Sequence, residues 1–289
     1  MTAVWLNGEI TTLEDARISA FDAGVQHGVG LFETFLARGE RVIHLLQHLD
    51  RLEASVRETR LSSRMRGDGI AEAIHRTVKS AGLETSRVRV TLTGGDLNLL
   101  HGQGGEHDPT IMVVVQPATA YPDELFDRGV RVSVADTRAN PLDPLAGHKT
   151  LNYWSRLSEL QSAAGKGASE ALWFMVSNHL AGGCVSNVIL VKDGEFITPI
   201  ARGEEPEGGL PAPVLPGIVR AEVLGWAAAE GRPIRREMIG IEQILTADEV
   251  LLTNSSWGVL PVVSLEKEAI AGGEPGPIAR SLRAWWLEQ

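Results

Sequence analysis

The chain has 289 residues, enough for one large or two ordinary domains, and 43% of them are hydrophobic, which predicts a buried core. Its 27 Lys and Arg against 37 Asp and Glu give a net charge of −10, which argues against a nucleic-acid binder or a basic membrane-surface protein. The single cysteine, Cys184, excludes an intrachain disulfide and a multi-cysteine zinc site. Since the N-terminus has no secretory pattern and no apolar run reaches the roughly 18 residues of a membrane span, we expect a soluble, cytoplasmic protein without nucleic-acid or membrane partners.

The first part of the chain predicts a small domain that mixes helices and strands. Asn7-Gly8 is typical of a hairpin turn, and apolar residues spaced three and four apart indicate amphipathic helices. Asp68 is the expected N-cap of the second helix, 87–93 alternates like a half-buried strand, and 111–115 resembles a fully buried one. The predicted elements are strands at 4–6 and 9–10, helices at 44–60 and 69–81, and strands at 87–93 and 111–115.

A proline-bounded segment, 116–122, predicts a break between domains. We therefore place a small domain at 1–118, a linker at 119–122 and a larger domain at 123–289. The larger domain again mixes both element types, which favours two α+β or mixed domains over a doubly wound nucleotide-binding fold. Its predicted elements are strands at 130–134, 171–176, 187–192, 195–198 and 249–253, and helices at 150–164, 217–230 and 276–287.

Lysine usage gives the clearest chemical hint, because there are only five: Lys79, Lys149, Lys166, Lys192 and Lys267. Four of them have the settings of solvated charges. Lys149 instead directly precedes a predicted helix whose apolar face includes Trp154 and Leu157. A lysine at the edge of an apolar core loses hydration, its pKa falls, and the free amine can attack a carbonyl group. The alternative is a lysine that merely covers the start of a helix.

Two further segments could bind an anion. The segment 215–220 begins a helix, where free N–H groups and the helix dipole attract negative charge, although an ordinary proline-started helix looks the same. The segment 253–256 offers hydroxyl and N–H groups at a strand end, or is a simple turn. His101 and His107 could bind a metal ion, but the glycines between them favour a loop tip, so we predict no metal site.

Seven segments, taken together and in order, resemble the class IV aminotransferase family, the fold-type IV enzymes that use pyridoxal 5′-phosphate. The resemblance runs nearly end to end. The segments are Asp22 with HGVGLFET at 27–34, HLDRLEAS at 48–55, LAGHKTLN at 145–152, GCVSN at 183–187, TP at 198–199, LPGIVR at 215–220, and DEVLLTNS at 248–255 followed by PV at 261–262.

The resemblance implies a two-domain α/β enzyme, with a smaller N-terminal α/β domain and a larger C-terminal mixed-sheet domain that carries the Schiff-base lysine. Lys149 would bind the cofactor covalently and move the proton, and the guanidinium of Arg51 would hold its phosphate. The protein would be a homodimer that acts on a small-molecule amino substrate. The other implied cofactor residues are Gly217, Ile218, Val219 and Ser255, and the implied substrate residues are Ser256, Phe32 and Thr34.

The sequence departs from the family pattern at two positions. Gly182 stands where the family carries a glutamate that pairs with the pyridine nitrogen of the cofactor, a contact of roughly 1.5–3 kcal/mol. Thr93 stands where many transaminases of the family have an arginine for the substrate carboxylate, a role that Arg138 or another arginine could take. Both departures weaken the expectation of vigorous amino-acid transamination.

The segments around Lys149 and Ser255 resemble 4-amino-4-deoxychorismate lyases, which release pyruvate and 4-aminobenzoate, more than branched-chain transaminases. Tyr153 speaks against this, because these lyases often have arginine there. The prediction is thus a lyase of this kind, with D-amino-acid or branched-chain transaminase as the alternative. A further alternative is a degenerate member with weak or no turnover because of Gly182.

Overall fold

A computed structural model describes residues 1–63, 65–96 and 108–289. His101 and His107 lie outside the described residues. The chain divides into two compact units, one made of Met1–Thr119 with Lys149–Asn152, and the other of Ala120–His148 with Tyr153–Gln289. The four residues from Lys149 belong to the first unit because they pair with one of its strands, whereas the sequence assigns them to the second domain.

The first unit is one antiparallel sheet with two long helices against one of its faces. The strand order is β2-β1-β6-β5-β3-β4. The elements in chain order are β1 (Ala3–Leu6), β2 (Glu9–Thr11), α1 (Ala23–His27), β3 (Gly30–Arg38), β4 (Arg41–Val42), α2 (Leu45–Thr59), α3 (Gly67–Ala81), β5 (Thr85–Thr93) and β6 (Ile111–Pro117).

The core of the first unit follows from strand alternation and helix periodicity. Leu31 and Phe35 of β3 and Val88 and Val90 of β5 point to the same face, where the apolar stripes of α2 and α3 cover them. The opposite face of the sheet carries the residues between them, including Phe32. The sheet therefore has a helix-covered face and a second face with polar and aromatic side chains.

The second unit is built on a mixed nine-stranded sheet. The strand order is β12-β11-β10-β13-β14-β7-β8-β9, with β15 paired to β14. The elements are α4 (Glu124–Asp127), β7 (Val130–Ala139), α5 (Trp154–Gly165), β8 (Glu170–Met175), β9 (Leu180–Gly183), β10 (Asn187–Lys192), β11 (Glu195–Pro199), α6 (Ile218–Ala229), β12 (Ile234–Glu237), α7 (Ile241–Leu245), β13 (Glu249–Asn254), β14 (Gly258–Leu265), β15 (Glu268–Ala269) and α8 (Pro277–Leu287).

Both faces of the second sheet are buried at its centre. Val188 and Leu190 of β10 lie with Val250 and Leu252 of β13 in one apolar cluster. The residues between them, such as Asn187, point to the other face, which α6 covers. Polar residues on the α6 face are consequently buried and need partners there.

Three local predictions need correction. Helix α5 begins at Trp154, not at 150, because the preceding residues form strand-like hydrogen bonds, and its apolar residues Trp154 and Leu157 are 79% and 44% exposed. Asp68 lies inside α3, whose N-cap is Arg66. Strand β6 is only partly buried, since its alternate residues are intermediate in exposure. In the described parts of the chain, none of the helices is long and apolar enough to cross a membrane.

Candidate active site

Strand-like hydrogen bonds hold Lys149 beside the first sheet. Its carbonyl oxygen accepts a hydrogen bond from the Phe32 N–H at 2.9 Å, and the Leu151 N–H donates to the Gly30 carbonyl at 2.9 Å. The segment thus extends the start of β3 as a short antiparallel partner. These two hydrogen bonds fix the backbone from the Lys149 carbonyl group to Leu151, which restricts where the lysine side chain can reach.

The ring of Phe32 lies against two cationic groups. The Lys149 Nζ atom is 4.4 Å from the ring centroid, and the Arg89 guanidinium carbon is 3.8 Å from it. Thr34 is on the same face of the sheet, directly opposite Arg89 in the β3–β5 register. Arg89 Nε also donates to Thr91 Oγ1 at 3.2 Å. A guanidinium that shares one aromatic ring with an amine can hold the carboxylate of a small molecule close to that amine.

Arg51 projects from α2 toward a buried carboxylate on the helix-covered face. Its Nε donates to Glu33 Oε1 at 2.8 Å and its Nη2 to Glu33 Oε2 at 2.6 Å, a bidentate pair. His48 Nδ1 lies 2.8 Å from the same Oε2 atom. Glu33 directly follows Phe32 in β3, so the strand connects this ion pair with the ring that contacts Lys149.

The charges of this cluster are set by burial and pairing. Burial by itself raises the pKa of Glu33, but the Arg51 guanidinium and the hydrogen bond from His48 outweigh it and hold that pKa at about 2. Burial lowers the pKa of His48, against the pull of Glu33. At neutral pH the cluster is therefore an ionised carboxylate, a guanidinium and a neutral imidazole.

In the second unit, the start of α6 has the form of an anion site. Its N-cap residue, Gly217, provides no capping side chain, so the first N–H groups, which include those of Ile218 and Val219, have no partner within the helix. A Cβ atom at Gly217 would overlap Asn187 Oδ1, and Asn187 Nδ2 donates to the Leu215 carbonyl at 2.8 Å. Glycine is required here because the turn lies directly against the asparagine.

Arg220, in the first turn of α6, fastens the helix to the preceding loop. It is 2% exposed and donates to Thr198 Oγ1, to the Pro199 carbonyl and, with two nitrogens, to Glu204. Partial burial raises the pKa of Glu204, yet Arg220 and the other donors hold it at about 2. These contacts fix the direction in which the N–H groups of the helix point.

The turn after β13 contains the other predicted cofactor and substrate residues, Ser255 and Ser256. Asn254 shapes it, because its Oδ1 accepts hydrogen bonds from the N–H groups of Ser256 and Trp257 at 2.9 and 3.0 Å. Asn254 Nδ2 in turn donates to the Val185 carbonyl at 3.2 Å. Both serines are partly exposed within their unit.

Gly182 lies at a bulge between β8 and β9, with a φ of 142°. A residue with a side chain is strained in this conformation, so a glutamate here would require a different backbone. The neighbouring carboxylate of Glu170 already has hydrogen-bond partners. It accepts hydrogen bonds from the Ala171, Cys184 and Val185 N–H groups and the Ser186 hydroxyl. Glu170 therefore caps this loop and does not replace the missing side chain.

In the first unit, the structure brings Lys149 against Phe32. Arg51 binds Glu33, the residue that directly follows Phe32 in β3. The structure places Gly217, Ile218 and Val219 together at the start of α6, and Ser255 with Ser256 in the turn after β13. The sequence interpretation missed Arg89, Glu33 and Asn187. A charged residue inside an apolar strand, as Glu33 is, signals a buried partner, but no local pattern distinguishes Arg89 from the other strand arginines.

The first unit presents a lysine amine and an arginine guanidinium on one aromatic ring, and in the second unit α6 begins without a capping side chain. Comparison with known proteins shows the family to which the chain belongs. The family described as amino-transferase class IV matches residues 30–265, and the chain belongs to this family, whose cofactor is pyridoxal 5′-phosphate. The resemblance inferred from the seven segments is therefore confirmed.

Similar proteins within the family have different names. The chain is 27% identical to a putative branched-chain-amino-acid aminotransferase of Methanocaldococcus jannaschii, over 97% of this chain and 93% of the relative. It is 26% identical to the D-alanine aminotransferase of Staphylococcus epidermidis, over 98% and 96% of the two chains. A solved 4-amino-4-deoxychorismate lyase from Pseudomonas aeruginosa is 27% identical, with a TM-score of 0.84 over 99% and 98%. Transaminases and a lyase are thus similar to this chain at nearly equal identity.

Proposed function

We propose that the chain is a pyridoxal-phosphate enzyme of the 4-amino-4-deoxychorismate lyase kind, which acts on the amino group of a substrate that also carries a carboxylate. The observation that supports it most is the pair of Lys149 and Arg89 on one Phe32 ring. The residues fit the cofactor, because α6 begins without a capping side chain, which leaves its first N–H groups for the phosphate.

Each residue has a proposed task. When bound, the cofactor supplies an aldehyde that captures amino groups and a ring that accepts electrons. Lys149 would hold the cofactor covalently through its Nζ atom and, once the substrate amino group has displaced it, its free amine would take the proton from the substrate carbon that bears that amino group. Arg51 and the N–H groups of Ile218 and Val219, with Ser255, hold the phosphate. Phe32, Thr34 and Ser256 line the substrate side.

Arg89 takes the role of the arginine that Thr93 lacks. The alternative, Arg138, donates to the carbonyls of Ala135 and Asp136 in its own strand. Arg89 instead faces the same ring as the lysine amine. We expect Arg89→Gln to raise KM for carboxylate-bearing substrates at least tenfold, with a smaller change in kcat, since the arginine binds a group that does not react.

Gly182 favours the lyase over the transaminases. Without a carboxylate at this position, the ring nitrogen has a weaker partner, so steps that rely most on the ring as an electron acceptor slow down. Formation of an aromatic product adds driving force that transamination lacks. The transaminase alternative, for branched-chain or D-amino acids, is supported by the names of the relatives, and a member with weak or no turnover would also follow from Gly182.

The test begins with the lysine. Borohydride treatment of the protein with pyridoxal 5′-phosphate should fix the cofactor on Lys149, as peptide mass spectrometry would detect. Lys149→Ala should abolish both the labelling and turnover. Lys166→Ala, in an exposed position at the end of α5, is the control and should retain both.

A substrate panel then separates the alternatives. With 4-amino-4-deoxychorismate we expect pyruvate and 4-aminobenzoate, and only slow half-reactions with D-alanine or branched-chain amino acids. Fast half-reactions with those amino acids, without formation of 4-aminobenzoate, would favour a transaminase over the lyase. No reaction with any of these substrates would favour the third alternative, a degenerate family member with weak or no turnover.

A homodimer in the cytoplasm completes the proposal. Large apolar side chains lie exposed on each unit, including Phe21 and Val25 in the first and Trp154 in the second. Such residues are typical of surfaces that a second copy covers. Sedimentation equilibrium should give twice the mass of the chain.

A further inference from the structure

Thr253 in β13 has a buried hydroxyl group without a partner. The residue is 1% exposed, and among the residues that the structure describes, none offers a hydrogen bond to its Oγ1 atom. A buried hydroxyl that gives up water without a replacement costs stability. The position of this hydroxyl therefore needs a physical explanation.

The hydroxyl belongs to the face of the sheet that supports the start of α6. Thr253 is directly opposite Asn187 in the antiparallel β10–β13 register, and side chains directly opposite each other point to the same face. Asn187 contacts Leu215 and Gly217 in the turn before the helix. Thr253 also lies near the end of β13, two residues before Ser255, the predicted phosphate residue in the following turn.

Another buried threonine of the same sheet shows the usual arrangement. Thr198 Oγ1 donates to the Val188 carbonyl at 2.9 Å and accepts a hydrogen bond from Arg220 Nε at 2.9 Å. Its hydroxyl is fully used inside the protein. The two threonines have the same chemistry and similar burial, so the difference lies in what each one faces.

We propose that Thr253 is a further cofactor residue, whose hydroxyl donates a hydrogen bond to the phosphate group that binds at the start of α6. Phosphate oxygens accept such bonds, and a bond to a charged acceptor is stronger than a neutral one. Asn187 positions the turn, and Thr253 adds a donor beneath it. The inference rests on the proposed function, because it needs pyridoxal 5′-phosphate as the ligand.

The experiment compares pyridoxal 5′-phosphate with pyridoxal, which lacks the phosphate, by absorbance titration of the cofactor-free protein. Thr253→Val keeps the shape of the side chain and removes the hydroxyl. We expect it to weaken pyridoxal 5′-phosphate about tenfold and to leave pyridoxal unchanged. Thr253→Ser keeps the hydroxyl and should retain most of the affinity for the phosphate form.

The unfolding temperature of the cofactor-free protein provides a second readout. Because valine removes an unsatisfied hydroxyl, Thr253→Val should leave this temperature unchanged or raise it, while it weakens cofactor binding. Ser86→Ala is the matched control. Ser86 of β5 is also buried with a hydroxyl that lacks a partner, but it belongs to the other unit and should not alter the ratio of the two affinities.

Two results would overturn the inference. One is an unchanged ratio of the two affinities in Thr253→Val, and the other is an equal loss for both ligands together with a lower unfolding temperature, which would indicate a structural role. If the unaltered protein does not prefer pyridoxal 5′-phosphate over pyridoxal, the proposed function itself fails. The first two results leave the proposed function intact.

Discussion

Each unit contains an arginine on a helix that is paired with a glutamate, but the two pairs are built differently. In the first unit, Glu33 lies inside a strand at 1% exposure and Arg51 binds it with two nitrogens. In the second, Glu204 lies in a loop, with its side chain 24% exposed, and Arg220 is the fully buried partner. The carboxylate is the buried member of one pair, and the guanidinium is the buried member of the other.

The difference in burial is consistent with the binding role proposed for Arg51 and with a structural role for Arg220. Arg220 donates to three different residues of its own unit and is 2% exposed, so its hydrogen bonds serve the loop and α6. The side chain of Arg51 is 10% exposed and is oriented by a carboxylate beneath it. A guanidinium held from below and reached from outside can bind an anion, which agrees with the role proposed for Arg51.

The largest expected effect comes from removing the fully buried charge. Glu33→Gln should lower the free energy of unfolding by about 3 kcal/mol at pH 7, because a pKa of about 2 in place of 4.5 reflects that much stabilisation of the ionised form. The folded-state pKa lies below the ordinary value, so this stabilisation is present above about pH 4.5 and is lost as the pH falls toward 2. Urea unfolding of the cofactor-free protein and the variant between pH 7 and pH 3 measures it.

The difference in free energy of unfolding between the unaltered protein and Glu33→Gln should become smaller below pH 4.5. Glu204→Gln is the companion variant, and it should show the same direction with a smaller amplitude, because Glu204 is partly exposed to solvent. Parallel stability curves for the protein and Glu33→Gln across this range would contradict a charge-based role for Glu33.

A smaller loss of unfolding free energy is expected when the pair of Arg220 and Glu204 is broken. Arg220→Met should cost about 2 kcal/mol of unfolding free energy, since it leaves Glu204 with only the exposed Arg236 as an arginine partner. The control is Arg236→Gln, which removes that exposed ion pair and should cost less than about 1 kcal/mol. Equal losses in the two variants, measured by urea unfolding, would show that burial does not distinguish these arginines.

The two pairs also show what the sequence could and could not predict. Helix periodicity located α2, and the resemblance in HLDRLEAS identified Arg51, because both are properties of contiguous residues. Glu33 and Arg51 are eighteen positions apart, and their contact depends on how α2 packs on β3, which no local pattern contains. The helix-start pattern predicts an anion site at 215–220, but it does not contain the contact with Asn187, which comes from a different strand.

The error at Lys149 has a similar physical origin. The apolar spacing of Leu151, Trp154 and Leu157 fits a helix that begins near 150, but the tertiary pairing with β3 makes the first of these residues extended. Trp154 and Leu157 are then exposed within their unit instead of buried. Tertiary hydrogen bonds override local periodicity here, and they do so at the residue to which the chemistry is assigned.

The smallest expected effect is on cofactor affinity, and it tests whether Arg51 differs from Arg220 in binding an anion. Arg51→Lys keeps the positive charge but loses the planar fork that satisfies Glu33 and an anion at the same time. We expect about tenfold weaker binding of pyridoxal 5′-phosphate, roughly 1.4 kcal/mol, and little change for pyridoxal, measured by absorbance titration. Arg57→Lys, on the exposed side of α2, should change neither. Because the same substitution loosens the contact with Glu33, a loss of stability with an unchanged ratio of the two affinities would make Arg51 a structural residue like Arg220, and the distinction between the two pairs would then disappear.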